Sequence, residues 1–114
     1  MEIRKAKDIW PEVAKNCHGG EGILVCKSLL DGFESESFMF MHSDDIPAGV
    51  SIGYHTHEDT EEAWFLASGR AILTYDGNEF EMTGGDISLC KKGHSHGFKA
   101  VDNCVLIVVG GNKE

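Results

Sequence analysis

What most constrains this chain is the spacing of its turns. Asp31-Gly32, Pro47-Ala48-Gly49, Ser68-Gly69, Asp76-Gly77 and Gly84-Gly85-Asp86 all combine residues that reverse a backbone. Glycine takes positive φ freely, proline presets its own φ, and an Asp side chain bonds back to the chain. The runs between them are short and carry β-branched and aromatic residues, which favours strands over helices. The pattern predicts strands near 23–30, 37–43, 50–57, 61–67, 70–75, 78–82, 86–90, 95–101 and 104–109. Asp76-Gly77 separates Ala71-Ile72-Leu73-Thr74-Tyr75 from Asn78-Glu79-Phe80-Glu81-Met82, which predicts a hairpin closed by a primed turn. Many short strands without a long helical pattern imply an all-β antiparallel sandwich or barrel.

Two stretches fall outside that pattern. Residues 7–15 fit one or two helical turns, capped by Asp8 and limited by Pro11, or else an extended arm. Asn16-Cys17-His18-Gly19-Gly20-Glu21-Gly22 is glycine-rich but lacks the strand-loop-helix setting of a phosphate-binding turn, so it reads as a plain connection. At 114 residues the chain suits one domain, divided into an N-terminal arm (1–22), a barrel (23–110) and a C-terminal tail (111–114).

The charge balance excludes some partners. Nineteen acidic residues against ten Lys and Arg give a net charge of −9, which disfavours nucleic acid and anionic membrane surfaces alike. No apolar run reaches the ~18 residues of a membrane span, and no apolar stretch follows the charged N-terminus as in a secretory signal. A cytoplasmic setting is therefore expected. Cys17, Cys26, Cys90 and Cys104 form no C-x-x-C pair, and in that setting they are expected as free thiols rather than a structural disulfide.

The chemistry concentrates in two stretches. On a strand, side chains alternate faces, so His55 and His57 point the same way, about 7 Å apart along the strand, while Thr56 points away. Glu62 follows the polar turn Glu58-Asp59-Thr60 and enters the next strand, with Trp64 and Leu66 on its side and Glu61 on the other. His94 and His96 repeat the same-face spacing, and one of the two suffices to complete a site. His18 and His42 fit no ligand spacing and are expected in solvent or packing roles. Phe38-Met39-Phe40-Met41 is expected in the core.

The first stretch, Gly49 to Gly69, reads G-x5-H-x-H-x4-E-x6-G without a gap and resembles the first motif of the cupin superfamily. The second resembles G-x5-P-x-G-x2-H-x3-N, with Gly85, Gly93 and His96 in place but Lys91 for the Pro and Ala100 for the Asn. The resemblance implies a single-domain jelly-roll β-barrel, the cupin fold, with one divalent metal ion (Fe, Mn, Zn, Ni or Co) held by His55, His57, Glu62 and His96. It makes His94 a rim residue. It also implies a homodimer, with the N-terminal segment reaching toward a partner.

That ligand set implies a metalloenzyme acting on a small oxygen-bearing metabolite by redox chemistry of the dioxygenase or decarboxylase type. Trp64, Leu66, Phe98 and Ile72 are expected as apolar walls. Two other readings stay open. One is a Lewis-acid isomerase of the phosphosugar kind, drawing on Arg70, Lys91, Lys92 and Lys99 for phosphate. The other is a module that binds or senses a small ligand without turnover.

Overall fold

Along the strand Cys104–Gly111, every second residue faces inward: Cys104, Leu106, Val108 and Gly110 are buried, and the residues between them are half-buried. The same period of two marks the strand Ser51–Thr56, Ser95–Ala100 in part, and the first half of Glu61–Ser68. The structure is a computed structural model, and it describes residues 3–111. Met1, Glu2 and residues 112–114, most of the expected tail, lie outside the described residues.

Among the described residues there are ten strands: β1 (Pro11–Lys15), β2 (Ile23–Leu30), β3 (Phe38–Ile46), β4 (Ser51–Thr56), β5 (Glu61–Ser68), β6 (Arg70–Tyr75), β7 (Asn78–Thr83), β8 (Ile87–Cys90), β9 (Ser95–Ala100) and β10 (Cys104–Gly111). They form a six-stranded sheet in the order β1-β2-β3-β10-β5-β8 and a four-stranded sheet in the order β4-β9-β6-β7. The ladders are antiparallel, and the two sheets enclose one core in the all-β jelly-roll arrangement expected from the turn spacing. Asp76 and Gly77 both have positive φ, 48° and 80°, and close the β6–β7 hairpin with Tyr75 opposite Asn78.

The core is built from residues that alternate inward on both sheets, among them Leu24, Ile46, Trp64, Leu66, Phe98 and Leu106. Each large apolar side chain removed from water contributes about 1.5–3 kcal/mol, so this layer carries the fold. One expected wall residue is displaced. Ile72 lies opposite Lys99 and turns to the outer face, while Leu73, one step along, fills the inner place. The Phe38–Met41 run also departs from expectation. Phe38 and Met39 are exposed at the strand's start, and of the run only Phe40 packs against the core.

The N-terminal segment takes the extended form. A single 3-10 turn spans Ala6–Asp8, and β1 then pairs with β2 of its own chain, Val13 opposite Val25. Pro11 explains the switch. It cannot continue a helix, yet it is tolerated as the first residue of an edge strand, where its missing N–H costs no ladder bond.

Candidate metal centre

The smaller sheet sets two histidines side by side. His55 on β4 is the register partner of His96 on β9. His57 lies just past the end of β4, where its N–H bonds His94 O at 3.0 Å and its carbonyl accepts from Gly93 N at 2.6 Å. The fourth residue comes from the larger sheet: Glu62 on β5 faces inward beside Trp64. The four sequence-expected residues thus converge from three strands and one turn, each offering a donor atom within 4.8 Å of the others.

The distances are those of a ligand set. His57 Nε2 lies 3.1 Å from His55 Nε2 and 3.0 Å from His96 Nε2. Glu62 brings Oε2 to 3.7 Å from His57 Nε2 and Oε1 to 3.5 Å from His96 Nε2. Nitrogens about 3.0 Å apart subtend near-right angles at an ion about 2.1 Å from each, whereas a tetrahedral site of the same bond length spreads them to about 3.4 Å.

At His55 the outer ring nitrogen fixes which nitrogen offers a lone pair inward. His55 Nδ1 lies 2.7 Å from Gly53 O and donates to it, so its Nε2 presents a lone pair to the cluster. His57 Nδ1 lies 3.2 Å from Thr60 Oγ1. His96 is fully buried, and its Nδ1 has no hydrogen-bond partner. Three imidazoles with inward Nε2 atoms at such separations cannot all be satisfied by the protons they share. A cation among them resolves this, and imidazoles anchored outward at Nδ1 are the usual form of metal-bound histidine.

Burial works against charge on these groups. It holds His96 down at about 3, with the His55, His57 and His18 charges adding to the effect. His57 is lowered by burial and then by the His55 and His18 charges. Glu62 is raised by burial, and the Trp64 hydrogen bond opposes that rise. Neutral imidazoles are the ligand form of histidine, and a divalent cation is the partner a buried carboxylate needs. The residues fit a metal ion.

Two residues expected as an apolar wall and as a solvent or packing residue, Trp64 and His18, support the cluster directly. Trp64 donates its indole N–H to Glu62 Oε1 and stacks on His96, ring centroids 3.6 Å apart and 19° from parallel. His18 stacks on the outer side of His55 at 3.8 Å and 12°. The loop that carries it is no plain connection. It forms a second 3-10 turn, Cys17–Gly19, in which Asn16 and His18 take positive φ. No spacing rule reaches His18, because its contact is made across about 35 residues of chain. His94, by contrast, stays outside the cluster: its Nδ1 bonds Asp76 Oδ2, and its ring stacks on Tyr75 at the barrel rim.

A two-sheet jelly roll with three imidazoles and a carboxylate gathered on its inner face defines a class, the small β-barrel able to hold one ion. The Cupin domain family description matches residues 43–110, and this chain belongs to that family. A curated relative, the oxalate-binding protein of Thermotoga maritima, is 26% identical over 106 residues, covering 91% of this chain and 87% of its own length. Among solved structures, a predicted oxalate decarboxylase from Thermotoga maritima superposes with a TM-score of 0.91 at 22% identity, covering 97% of this chain and 99% of its own. An RmlC-like cupin from Shewanella frigidimarina gives a TM-score of 0.77 at 16% identity, covering 100% and 93%. At those identities the two structures bear on the fold alone.

Proposed function

We propose that this cupin holds one divalent metal ion through His55, His57, Glu62 and His96, and that it takes a small chelating carboxylate of the oxalate class. The observation that carries the reading is the meeting of four donor atoms inside the barrel, with imidazole nitrogens 3.0–3.1 Å apart. The His57–His55 and His57–His96 nitrogen spacings are those of near-right angles, and four protein donors on an octahedral ion leave two positions, the number a bidentate carboxylate fills. The relative named for oxalate binding supports that substrate class.

Bound there, the ion supplies Lewis acidity and, as Fe or Mn, one-electron chemistry. The chain supplies position and dryness. Gly53 O fixes the His55 ring and the Trp64 N–H fixes Glu62, so little reorganisation is left to pay for when a ligand arrives. Trp64, Leu66 and Phe98 exclude water on the inner side. The turnover we favour is of the decarboxylase or redox type. In a decarboxylation, oxalate and one proton become formate and carbon dioxide.

Two other readings fare differently. The name of the curated relative favours binding without turnover as the second reading. The isomerase reading gains nothing from Arg70 or Lys99. Arg70 faces Glu81 and Asp102 at 3.9 and 3.6 Å, and Lys99 is exposed on the outer face. The homodimer remains part of the proposal, supported by Phe65 and Ile87, which are exposed register partners on β5 and β8. Sedimentation velocity giving a monomer at micromolar concentration would remove it.

The deciding experiment titrates oxalate into metal-free and Mn(II)-loaded protein by calorimetry, then assays formate and oxygen uptake. Metal-dependent heat with formate or oxygen consumption supports the enzyme. Heat without product leaves the binding module. No heat in either form refutes both.

A further inference from the structure

The inner face of the larger sheet carries a polar cluster that the four-residue site does not use. Cys26 on β2 and Asp44 on β3 are register partners, and His42 lies two residues before Asp44 on the same face. A thiol sulfur, a ring nitrogen and a carboxylate oxygen therefore project into one space, all within 4.8 Å of one another. His42 Nδ1 is 2.7 Å from Asp44 Oδ1, and the Cys26 sulfur lies within 4.8 Å of both residues' donor atoms.

The setting makes this more than a surface pair. Asp44 is only 3% exposed, and its inward neighbours along β3 and β10 are Ile46 and Leu106. A carboxyl group in such a place needs polar partners, and the His42 ring and the Cys26 thiol are the ones that face it. His42 and Cys26 are half-buried, which leaves a way in from solvent.

We propose that Cys26, His42 and Asp44 form a second cation site, separate from the His55 cluster, for a borderline ion of the zinc or cobalt type. Sulfur, imidazole and carboxylate together suit Zn(II) and Co(II), whereas Mn(II) and Mg(II) bind thiolate weakly. In a tetrahedral site these donors stand about 3.3–3.6 Å apart, so the cluster closes on an ion by side-chain rotation with both strands in place. Uptake exchanges an ion for a proton. The sulfur–metal bond forms as the thiol proton leaves to solvent, and His42 stays neutral with its proton on the ring nitrogen away from the ion. Without metal the Cys26 thiol is protonated at neutral pH, because burial and then the Asp44 charge push it up to about 12. The cluster shares no residue with the His55 site, so an ion here sits apart from that one.

The probe is Co(II). Added to the metal-free full chain, it should give a near-ultraviolet thiolate-to-cobalt charge-transfer band that saturates by two equivalents, because the His55 cluster also takes Co(II); that cluster, all nitrogen and oxygen, cannot produce the band. Cys26→Ser should abolish the band, and Asp44→Asn should weaken apparent affinity by about tenfold or more. His55→Ala and Cys17→Ser should leave it at full strength. A band that survives Cys26→Ser, or none at saturating Co(II), overturns the proposal. A second measurement needs no variant. X-ray absorption of wild-type protein given Zn(II) after Mn(II) should find one sulfur around zinc, and a shell without sulfur is equally fatal.

Discussion

The indole of Trp64 does two jobs for two different ligand residues: its face lies on the His96 ring and its N–H holds Glu62. Trp64→Phe separates the two. Phenylalanine keeps an aromatic face for His96 but leaves a Glu62 oxygen without its donor. Mn(II) affinity should fall about 10–100-fold while the circular dichroism spectrum stays that of the wild type. An unchanged dissociation constant, measured by chelator competition, would show that Glu62 needs no such support.

Gly53 and His18 are coupled by contact. A Cβ built on Gly53 would lie 2.0 Å from His18 O and 2.8 Å from Gly20 N, both backbone atoms. Gly53→Ala must therefore push the Cys17–Gly19 turn off the sheet and lift His18 from His55. Loss of about 1–3 kcal/mol in urea unfolding is expected, with weaker Mn(II) binding beside it. His18→Ala removes the stacked ring without the clash. It should weaken Mn(II) binding with little loss of stability, so the two variants separate backbone fit from ring contact.

The sequence was most legible where turns and alternation agree. Nine strands follow from the punctuation, and the β6–β7 hairpin follows from Asp76-Gly77 alone. It was least legible where polar residues face inward. Ser43-Asp44-Asp45 reads as the end of a strand, yet β3 runs on to Ile46 because Asp44 is held inside by His42 and Cys26. β1 was ambiguous for the opposite reason. Pro11-Glu12-Val13-Ala14-Lys15 is an edge strand with one half-buried residue, so it carries almost no alternation to read. Strand alternation put His55 and His57 on one face but left His94 and His96 open, and the resemblance to the cupin motifs implied the set of four. Their supports, Trp64 and His18, act through contacts that only the folded chain makes.

Thiol reactivity should follow burial. Cys90 and Cys104 are 0% and 3% exposed, and burial is the main cause that pushes both thiols up, Cys90 to about 11. A raised pKa keeps the thiol protonated, and the thiolate is the nucleophile. Iodoacetamide at pH 8 should therefore leave Cys90 and Cys104 unmodified in the native chain and alkylate both in urea, as intact mass and peptide mapping would record. Rapid native labelling of either would mean that the core opens locally.

Metal loading should be visible as stability. An ion that binds only the folded chain adds about 2.7 kcal/mol when present at a hundred times its dissociation constant. For a domain of this size that raises the melting temperature by roughly 10 °C or more. Mn(II) is the ion to use, because it is a poor match for the thiolate of the Cys26 cluster. His55→Ala and His57→Ala should each abolish the shift while leaving the metal-free melting point close to wild type, since the core is built from apolar residues elsewhere. His94→Ala should keep the shift, because His94 bonds Asp76 at the rim and contributes no atom to the cluster. A His55→Ala protein still stabilised by one equivalent of Mn(II) would refute the ligand set. A shift lost in His94→Ala would place the fourth ligand on the other histidine of that pair.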